Sequence, residues 1–197
     1  MKNVTVILAA GNSSRLGQPK QLLLFNGKTL LRNAIEAAVA LEDNTTLVIT
    51  GAEHDQLVPE IPTSHVTVLN NPHWQEGMGS SISLAIKYIL EEHPDFMTCI
   101  ITVCDQPYLS AAVFQQLIQE LDKTDKGVIA SGYADTVGSP VLFTRRYFDD
   151  LSQLTGEQGA KSILNKHQQD LSVVQFPKGS VDIDTRQAYN DLLYGQL

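Results

Sequence analysis

Short apolar runs rich in β-branched residues alternate with longer segments of helical period along most of the chain. Val4 to Ala10 is such a run, ended by Gly11, as a buried parallel strand would be. Leu30 to Leu41 carries apolar residues at 30, 31, 34, 35, 38 and 41, a helical stripe starting near the potential cap Thr29. Thr45 to Thr50 and Val66 to Leu69 read as further strands, closed by Gly51 and by Asn70-Asn71-Pro72. Ser80 to Leu90 is helical in period, with Pro94 marking its end. Cys99 to Cys104 is a strand closed by Asp105-Gln106-Pro107, and Ser110 is placed to cap a helix over Ala111 to Leu121.

The remainder alternates less cleanly. Gly127 to Ser131, Val141 to Phe143 and Ser172 to Phe176 read as strands, and 147–154, 158–167 and 186–194 as helices. Strands alternating with helices predict an α/β fold of three layers, a mostly parallel sheet with helices on both faces. With no repeat, linker or low-complexity tract, residues 1–197 are expected to form one domain. Ligands of such sheets bind beyond the carboxyl ends of the strands, which directs attention to the segments after Ala10, Thr50, Leu69 and Cys104.

Composition narrows the classes. The chain is 43% hydrophobic and 18% charged, values of a globular domain rather than a disordered one. Its formal charge of −8 lacks the basic excess of a nucleic-acid binder. The few cations near a candidate site therefore carry more information. Cys99 and Cys104 would face opposite sides of one strand, so no disulfide is expected, and no Cys/His spacing suits zinc. The five histidines are scattered and read as surface residues. No apolar run approaches the ~18 residues of a membrane span. Lys2 followed by Val4 to Ala10 imitates a short signal peptide, but the run passes at once into Gly11-Asn12-Ser13-Ser14-Arg15; a buried strand and a cytoplasmic protein are expected.

Four segments carry candidate chemistry. In Leu8-Ala9-Ala10-Gly11-Asn12-Ser13-Ser14-Arg15-Leu16-Gly17-Gln18-Pro19-Lys20, a glycine at the strand end permits a tight turn and small residues leave amides accessible to phosphate oxygens. Arg15 and Lys20 add two cations suited to a triphosphate. Neither a P-loop nor a Gly-x-Gly-x-x-Gly fingerprint is present, and the same residues also describe an ordinary strand-to-helix loop with two surface cations. Asp105, at a buried strand's tip, could ligate Mg²⁺ or merely begin a turn. In Asp182-Ile183-Asp184-Thr185 both carboxylates would lie on one side of an extended segment, where one could complete a metal site with Asp105; helix capping is the alternative. Asn71 to Ser81 places glycines and serines at a helix start, where backbone donors could meet a ligand's polar edge, with Trp74 as a packing anchor.

Order and spacing are more specific than any one motif. The run from Leu8 to Lys20, Cys104-Asp105-Gln106-Pro107 and Asp182-Ile183-Asp184-Thr185 together resemble the nucleotidyltransferases of Rossmann-like fold. The branch most resembled is the molybdenum cofactor cytidylyltransferases. Asn71-Pro72-x-Trp74-x-x-Gly77-Met78-x-x-Ser81, Gly138-Ser139-Pro140-Val141-Leu142-Phe143 and Gly156 to Lys161 support that branch, and the likeness spans about residues 4–193. Related guanylyltransferases typically carry Leu-Ala-Gly-Gly and Cys-Asp-Thr-Pro; here Ala9-Ala10-Gly11 and Asp105-Gln106-Pro107 stand, and the β-carbon of residue 10 would narrow the room for a purine. Leu16, Glu157 and Arg186 depart from the residues common in the family.

The resemblance implies a cytidylyl donor, CTP, transferred with Mg²⁺ to a phosphorylated acceptor of molybdopterin type, releasing pyrophosphate. It implies nucleotide contacts from Leu8, Ala9, Ala10, Gly11, Ser13, Ser14, Arg15, Lys20, Gly77, Met78 and Ser81. Arg15, Lys20 and Asp105 would be catalytic, and Asp105 and Asp184 would hold the metal, with Asp182 as the fallback. Gly138, Ser139, Pro140 and Gly159 would meet the acceptor. A molybdenum hydroxylase is an implied partner; nucleic acid and membrane are not. Guanylyl or adenylyl transfer, cytidylyl transfer to methylerythritol phosphate or a sugar phosphate, and a non-catalytic cofactor-delivery protein are the alternatives.

Overall fold

The computed structural model describes residues 2–13, 16–62 and 64–194. Its elements are β1 (Asn3–Leu8), a hairpin of β2 (Leu24–Phe25) and β3 (Lys28–Thr29), α1 (Leu30–Val39), β4 (Asn44–Thr50), α2 (His54–Leu57), β5 (Val66–Asn70), α3 (Met78–Glu92), β6 (Thr98–Val103), α4 (Ala111–Lys123), β7 (Val128–Tyr133), β8 (Thr136–Thr144), α5 (Phe148–Ser152), α6 (Ala160–Lys166), β9 (Leu171–Gln175) and α7 (Arg186–Leu193).

Seven strands form one sheet in the order β5-β4-β1-β6-β8-β7-β9. All neighbours run parallel except β8, which is antiparallel to β6 and β7. The expected mixed α/β architecture, mostly parallel with helices on both faces, is what the chain adopts.

Period-two alternation divides the core. Val4, Val6, Leu8, Cys99 and Ile101 face one side, under Ile82, Ile86 and Ile89 of α3 and Phe148 and Leu151 of α5. Ile7, Ile100 and Cys104 face the other, under Leu31 and Ile35 of α1 and Phe114 and Leu117 of α4. The two free, buried cysteines thus lie on opposite faces, as their spacing predicts. Thr29 caps α1 by accepting from Arg32 N–H at 3.1 Å.

Several boundaries differ from expectation. β1 stops at Leu8, two residues short of the expected end, because its paired register with β4 and β6 stops there and the chain turns out of the sheet. α3 starts at Met78 because Gly77, at φ 100°, sets the chain on its helical course two residues early. Ser110 holds the N-cap position of α4 but makes no side-chain capping bond. Residues 145–147 form a separate short turn before α5, and α6 starts at Ala160. The β7–β8 hairpin turns through Ala134 and Asp135, both at positive φ (45° and 60°), which lengthens β8 well beyond Val141–Phe143. Among the described residues, no helix is long and apolar enough to cross a membrane.

The topology locates the site. From β1 the chain steps to β4 and β5 on one side of the sheet, then crosses back to β6 on the other. The order therefore reverses between β1 and β6, which are paired from Asn3↔Thr98 to Leu8↔Val103. Residues following Leu8 and Val103 consequently emerge side by side at the carboxyl edge, where a crevice forms.

Candidate active site

A cavity of about 320 Å³ opens at that reversal, lined by Leu8 to Asn12, Lys20 and Gln21 on one side. Trp74, Gln75, Gly77, Met78 and Ser81 line the second wall, and Val103 to Asp105 with Glu157 close the rest. A larger open hollow, about 640 Å³, lies at the opposite end of the sheet among Lys2, Asp43, His65 and Asp95. Size does not decide between them. The amino-end hollow gathers none of the sequence motifs, whereas the smaller cavity gathers most.

Lys20 is the centre of the site's electrostatics. Its Nζ lies 2.5 Å from Asp105 Oδ2 and 2.9 Å from Asp184 Oδ1, joining groups 85 and 164 residues away in sequence. Burial pulls the ammonium's pKa down, but the charges and hydrogen bonds of Asp105 and Asp184 outweigh it and hold the pKa above the ordinary lysine range. Asp105 Oδ1 is buried and meets no hydrogen-bond donor among the described residues.

Ile183 brings the acidic tail here. It is fully buried against Leu16, Leu23, Leu30 and Leu192, and its N–H donates to Asp105 O at 3.2 Å. Its acidic neighbours therefore both turn toward the Lys20–Asp105 group. Partial burial and the charges of Asp105 and Asp184 push the Asp182 carboxyl above its ordinary range. Capping of α7 falls to Thr185, which accepts from Ala188 N–H at 3.1 Å, so Asp184 is not the cap.

The first loop is held from behind. Gln21, 1% exposed, donates through Nε2 to Ala9 O (3.0 Å) and Gly11 O (2.8 Å) and accepts from Ser13 Oγ (3.3 Å). Ser13 Oγ in turn accepts from Lys20 N–H at 2.9 Å. Residue 11 has no positive φ, and a β-carbon there would meet nothing within 4 Å. The turn does not need a glycine at that point; what the glycine preserves is open space on the cavity side.

The second wall departs from expectation. The N–H groups of Gly77, Gly79 and Ser80 donate to Trp74 O, Gly156 O and Gly77 O, so these three are not available to a ligand as the sequence suggested. Their glycines serve packing instead: a β-carbon on Gly77 would lie 2.4 Å from Gly156 O, and one on Gly79 2.7 Å from Thr155. Asn71, buried, donates to Ser80 Oγ and Ser81 Oγ, both at 2.9 Å, and fixes the start of α3. Trp74 packs against Gly51 and also forms cavity wall.

Leu8, Ala9, Ala10, Gly11, Lys20, Gly77, Met78, Ser81 and Asp105 are therefore brought to one cavity. Ser13 stands one layer behind. Ser14 and Arg15 lie outside the described residues. The residues assigned to the acceptor do not line this cavity. Ser139 Oγ accepts from Val103 N–H (3.3 Å) and Ser139 O from Gln106 Nε2 (3.0 Å), bracing the end of β6. Pro140 is buried, Gly138 lies beneath the Tyr133 hydroxyl, and Gly159 packs behind Met78. Gln21, Gln75 and Glu157 were not assigned from sequence. Gln21, whose burial is created by loop closure, leaves no periodic signal, and Gln75 and Glu157 are exposed residues that pattern does not mark.

Cys104 lines the cavity without being reactive. Burial first, and the neighbouring Asp105 charge second, push its thiol up to about 12. An ammonium that can meet an anion and carboxylates that can meet a cation thus stand together, and among the described residues no activated nucleophile lines the cavity.

A Rossmann-like sheet with this site at its order reversal defines a nucleotidyltransferase. The profile of the MobA-like NTP transferase domain matches residues 5–171, and the chain belongs to that family. It is 28% identical over 141 residues to the molybdenum cofactor cytidylyltransferase of Escherichia coli K12, covering 71% of this chain and 69% of that one. It is 25% identical over 198 residues to the purine catabolism protein PucB of Bacillus subtilis 168, covering 95% and 94%. Among solved structures, Rv0371c of Mycobacterium tuberculosis H37Rv is similar at a TM-score of 0.83 and 25% identity over 98% of each chain.

Proposed function

We propose that this enzyme transfers a cytidylyl group from CTP, with Mg²⁺, to a phosphorylated acceptor of molybdopterin type and releases pyrophosphate. The observation that carries the reading is the meeting of Lys20, Asp105 and Asp184 at the mouth of the Leu8–Gly11 loop.

The acceptor's phosphate oxygen attacks the α-phosphorus of CTP as the bond to pyrophosphate breaks. That oxygen is already ionised near neutral pH, so no general base is required. Catalysis then rests on positioning and charge neutralisation. Lys20 exchanges its carboxylate partners for the triphosphate and meets the charge that grows on the leaving pyrophosphate. Arg15 is assigned the same duty.

Asp105 and Asp184 would hold Mg²⁺, with Asp182 in reserve. The donor set fits: Mg²⁺ takes one or two carboxylates beside phosphate oxygens and water, and Asp105 Oδ1 is a buried acceptor that meets no donor among the described residues. When bound, the metal supplies positive charge to the reacting phosphate oxygens.

Cytidine is favoured by the β-carbon of Ala10 in the cavity wall and by the similarity to the Escherichia coli cytidylyltransferase. Gly138, Ser139 and Pro140, beside the end of β6, and Gly159, behind Met78, are proposed to shape the acceptor's path rather than the nucleotide's. A single domain in the cytoplasm, serving a molybdenum hydroxylase, completes the reading.

Pyrophosphate release with CTP, Mg²⁺ and molybdopterin is the test. CTP-dependent release is expected. GTP or ATP preference would overturn the base assignment, release only with methylerythritol phosphate would overturn the acceptor, and binding without release would leave a delivery protein.

A further inference from the structure

Four carbonyls of the first loop are tied into the protein. Ala9 O and Gly11 O accept from Gln21, Ala10 O accepts from Ala52 N–H at 3.1 Å, and Ser13 O accepts from Leu16 N–H at 2.9 Å. Among the described residues, the N–H groups of Gly11, Asn12 and Ser13 meet no acceptor within the chain, and Gly11 and Asn12 line the cavity. The four carbonyl dipoles are thus satisfied inside the protein, while none of the three amides is taken up by the described residues. Successive free amides of this kind attract anions; carbonyls turned into the same space would repel them.

Two of the four carbonyls depend on one side chain. Gln21 is nearly fully buried, and its amide is used from both ends, Nε2 on Ala9 and Gly11 and Oε1 on the Ser13 hydroxyl. Ser13, in the left-handed region at φ 50°, passes the connection on to Lys20 N–H. One chain of hydrogen bonds therefore fixes both the direction of the loop amides and the place where the Lys20 side chain begins.

We propose that Gln21 is a positioning residue for the triphosphate: by holding the Ala9 and Gly11 carbonyls it keeps the loop amides and Lys20 presented to the donor's phosphates. This rests on the nucleotide-transfer reading above. Methionine fills the same volume but can neither donate nor accept as the amide does. Glutamate keeps the shape but, when ionised, faces two carbonyls with a negative charge. Its protonated form can donate to one of them.

Calorimetric titration of the full chain with CTP and with inorganic tripolyphosphate tests this. Gln21→Met is expected to lose on the order of tenfold in affinity for both ligands, the scale of one or two hydrogen bonds left unmade. Gln21→Glu should be weaker still near pH 8 and, relative to wild type, should recover as the pH is lowered toward about 5, a response that space-filling alone cannot give. If wild type binds both ligands and the Gln21 variants bind equally well at every pH, the positioning role is wrong and the nucleotide reading stands. If wild type binds neither ligand, the nucleotide reading falls and the role falls with it. Should Gln21→Met fail to fold, Ser13→Ala removes the hydroxyl linking Gln21 to Lys20. A several-fold loss supports the proposal, and unchanged affinity overturns it.

Discussion

Two clusters in this molecule use nearly the same chemistry for different ends. At the carboxyl edge, Lys20 bridges Asp105 and Asp184 beside an open cavity. Near the opposite end of the β7–β9 half, Asp170 accepts from the Tyr147 hydroxyl and pairs with Arg146 at 2.5 Å. In the second cluster the aspartate's demand is met by the protein. Tyr147 packs into the core between Phe143 and His167, and Arg146 lies over the Tyr147 ring. In the first, one buried oxygen of Asp105 has no donor among the described residues, and the ammonium is shared between carboxylates that repel each other. Folding alone would favour replacing such an arrangement with something better satisfied. The contrast teaches that ion pairing by itself does not mark a site; incomplete satisfaction at a cavity does.

The largest expected effect is on Asp105. Asp105→Asn should lower turnover by about 10²-fold or more, the scale of losing a principal electrostatic group at the reacting phosphates, while changing unfolding free energy by less than about 1 kcal/mol, because the weakened link to Lys20 is offset by relief of the repulsion between the Asp105 and Asp184 carboxylates. Pyrophosphate release and urea denaturation measure the two. Wild-type turnover with Mg²⁺ still required would erase the distinction between the clusters.

Lys20→Met comes next. Turnover should again fall by about 10²-fold. Affinity for Mn²⁺ without nucleotide should rise, by roughly tenfold, because no ammonium competes for the two carboxylates. Manganese titration followed by electron paramagnetic resonance reads this without any turnover. A fall in Mn²⁺ affinity would mean that the carboxylates do not form the cation's place.

How much of this contrast was legible beforehand depends on what the sequence pattern encodes. Periodicity locates β1, β4, β6, α1 and α4 because their burial repeats every two or 3.6 residues. Asp105 was legible because a carboxylate at the end of Cys99–Cys104 is chemically out of place. The β2–β3 hairpin escapes periodicity although Asn26-Gly27, both at positive φ (53° and 78°), is a strong turn signal, because its strands are too short to alternate. The Ala134–Asp135 turn carries no such signal, so the antiparallel pairing of β8 was not anticipated. The Gly77 and Ser80 amides are taken up by local turns onto Trp74 O and Gly77 O, whereas Gln21 and the loss of the Gly79 amide to Gly156 O are invisible in the pattern because both follow from segments distant in sequence closing on each other. The Asp170 cluster was invisible for the same reason.

The smallest effect sharpens the comparison from the structural side. Asp170→Asn should leave pyrophosphate release unchanged and cost about 1–2 kcal/mol of stability at pH 7, the scale of weakened charge-assisted hydrogen bonds at a partly exposed group. Its pH dependence distinguishes this from a general packing defect. Burial works to raise the Asp170 carboxyl, but the Tyr147 hydroxyl, the Gly127 N–H and the Arg146 charge more than offset it and hold its pKa below the ordinary aspartate value of 3.8. The stability it contributes is therefore complete above about pH 4 and is lost as pH falls through the lower, folded value. Urea denaturation of wild type and variant should differ at pH 7 and converge in that acid window. A difference that stays constant down to acid pH would mean that Asp170 contributes shape rather than charge, and the two clusters would then differ in chemistry as well as in purpose.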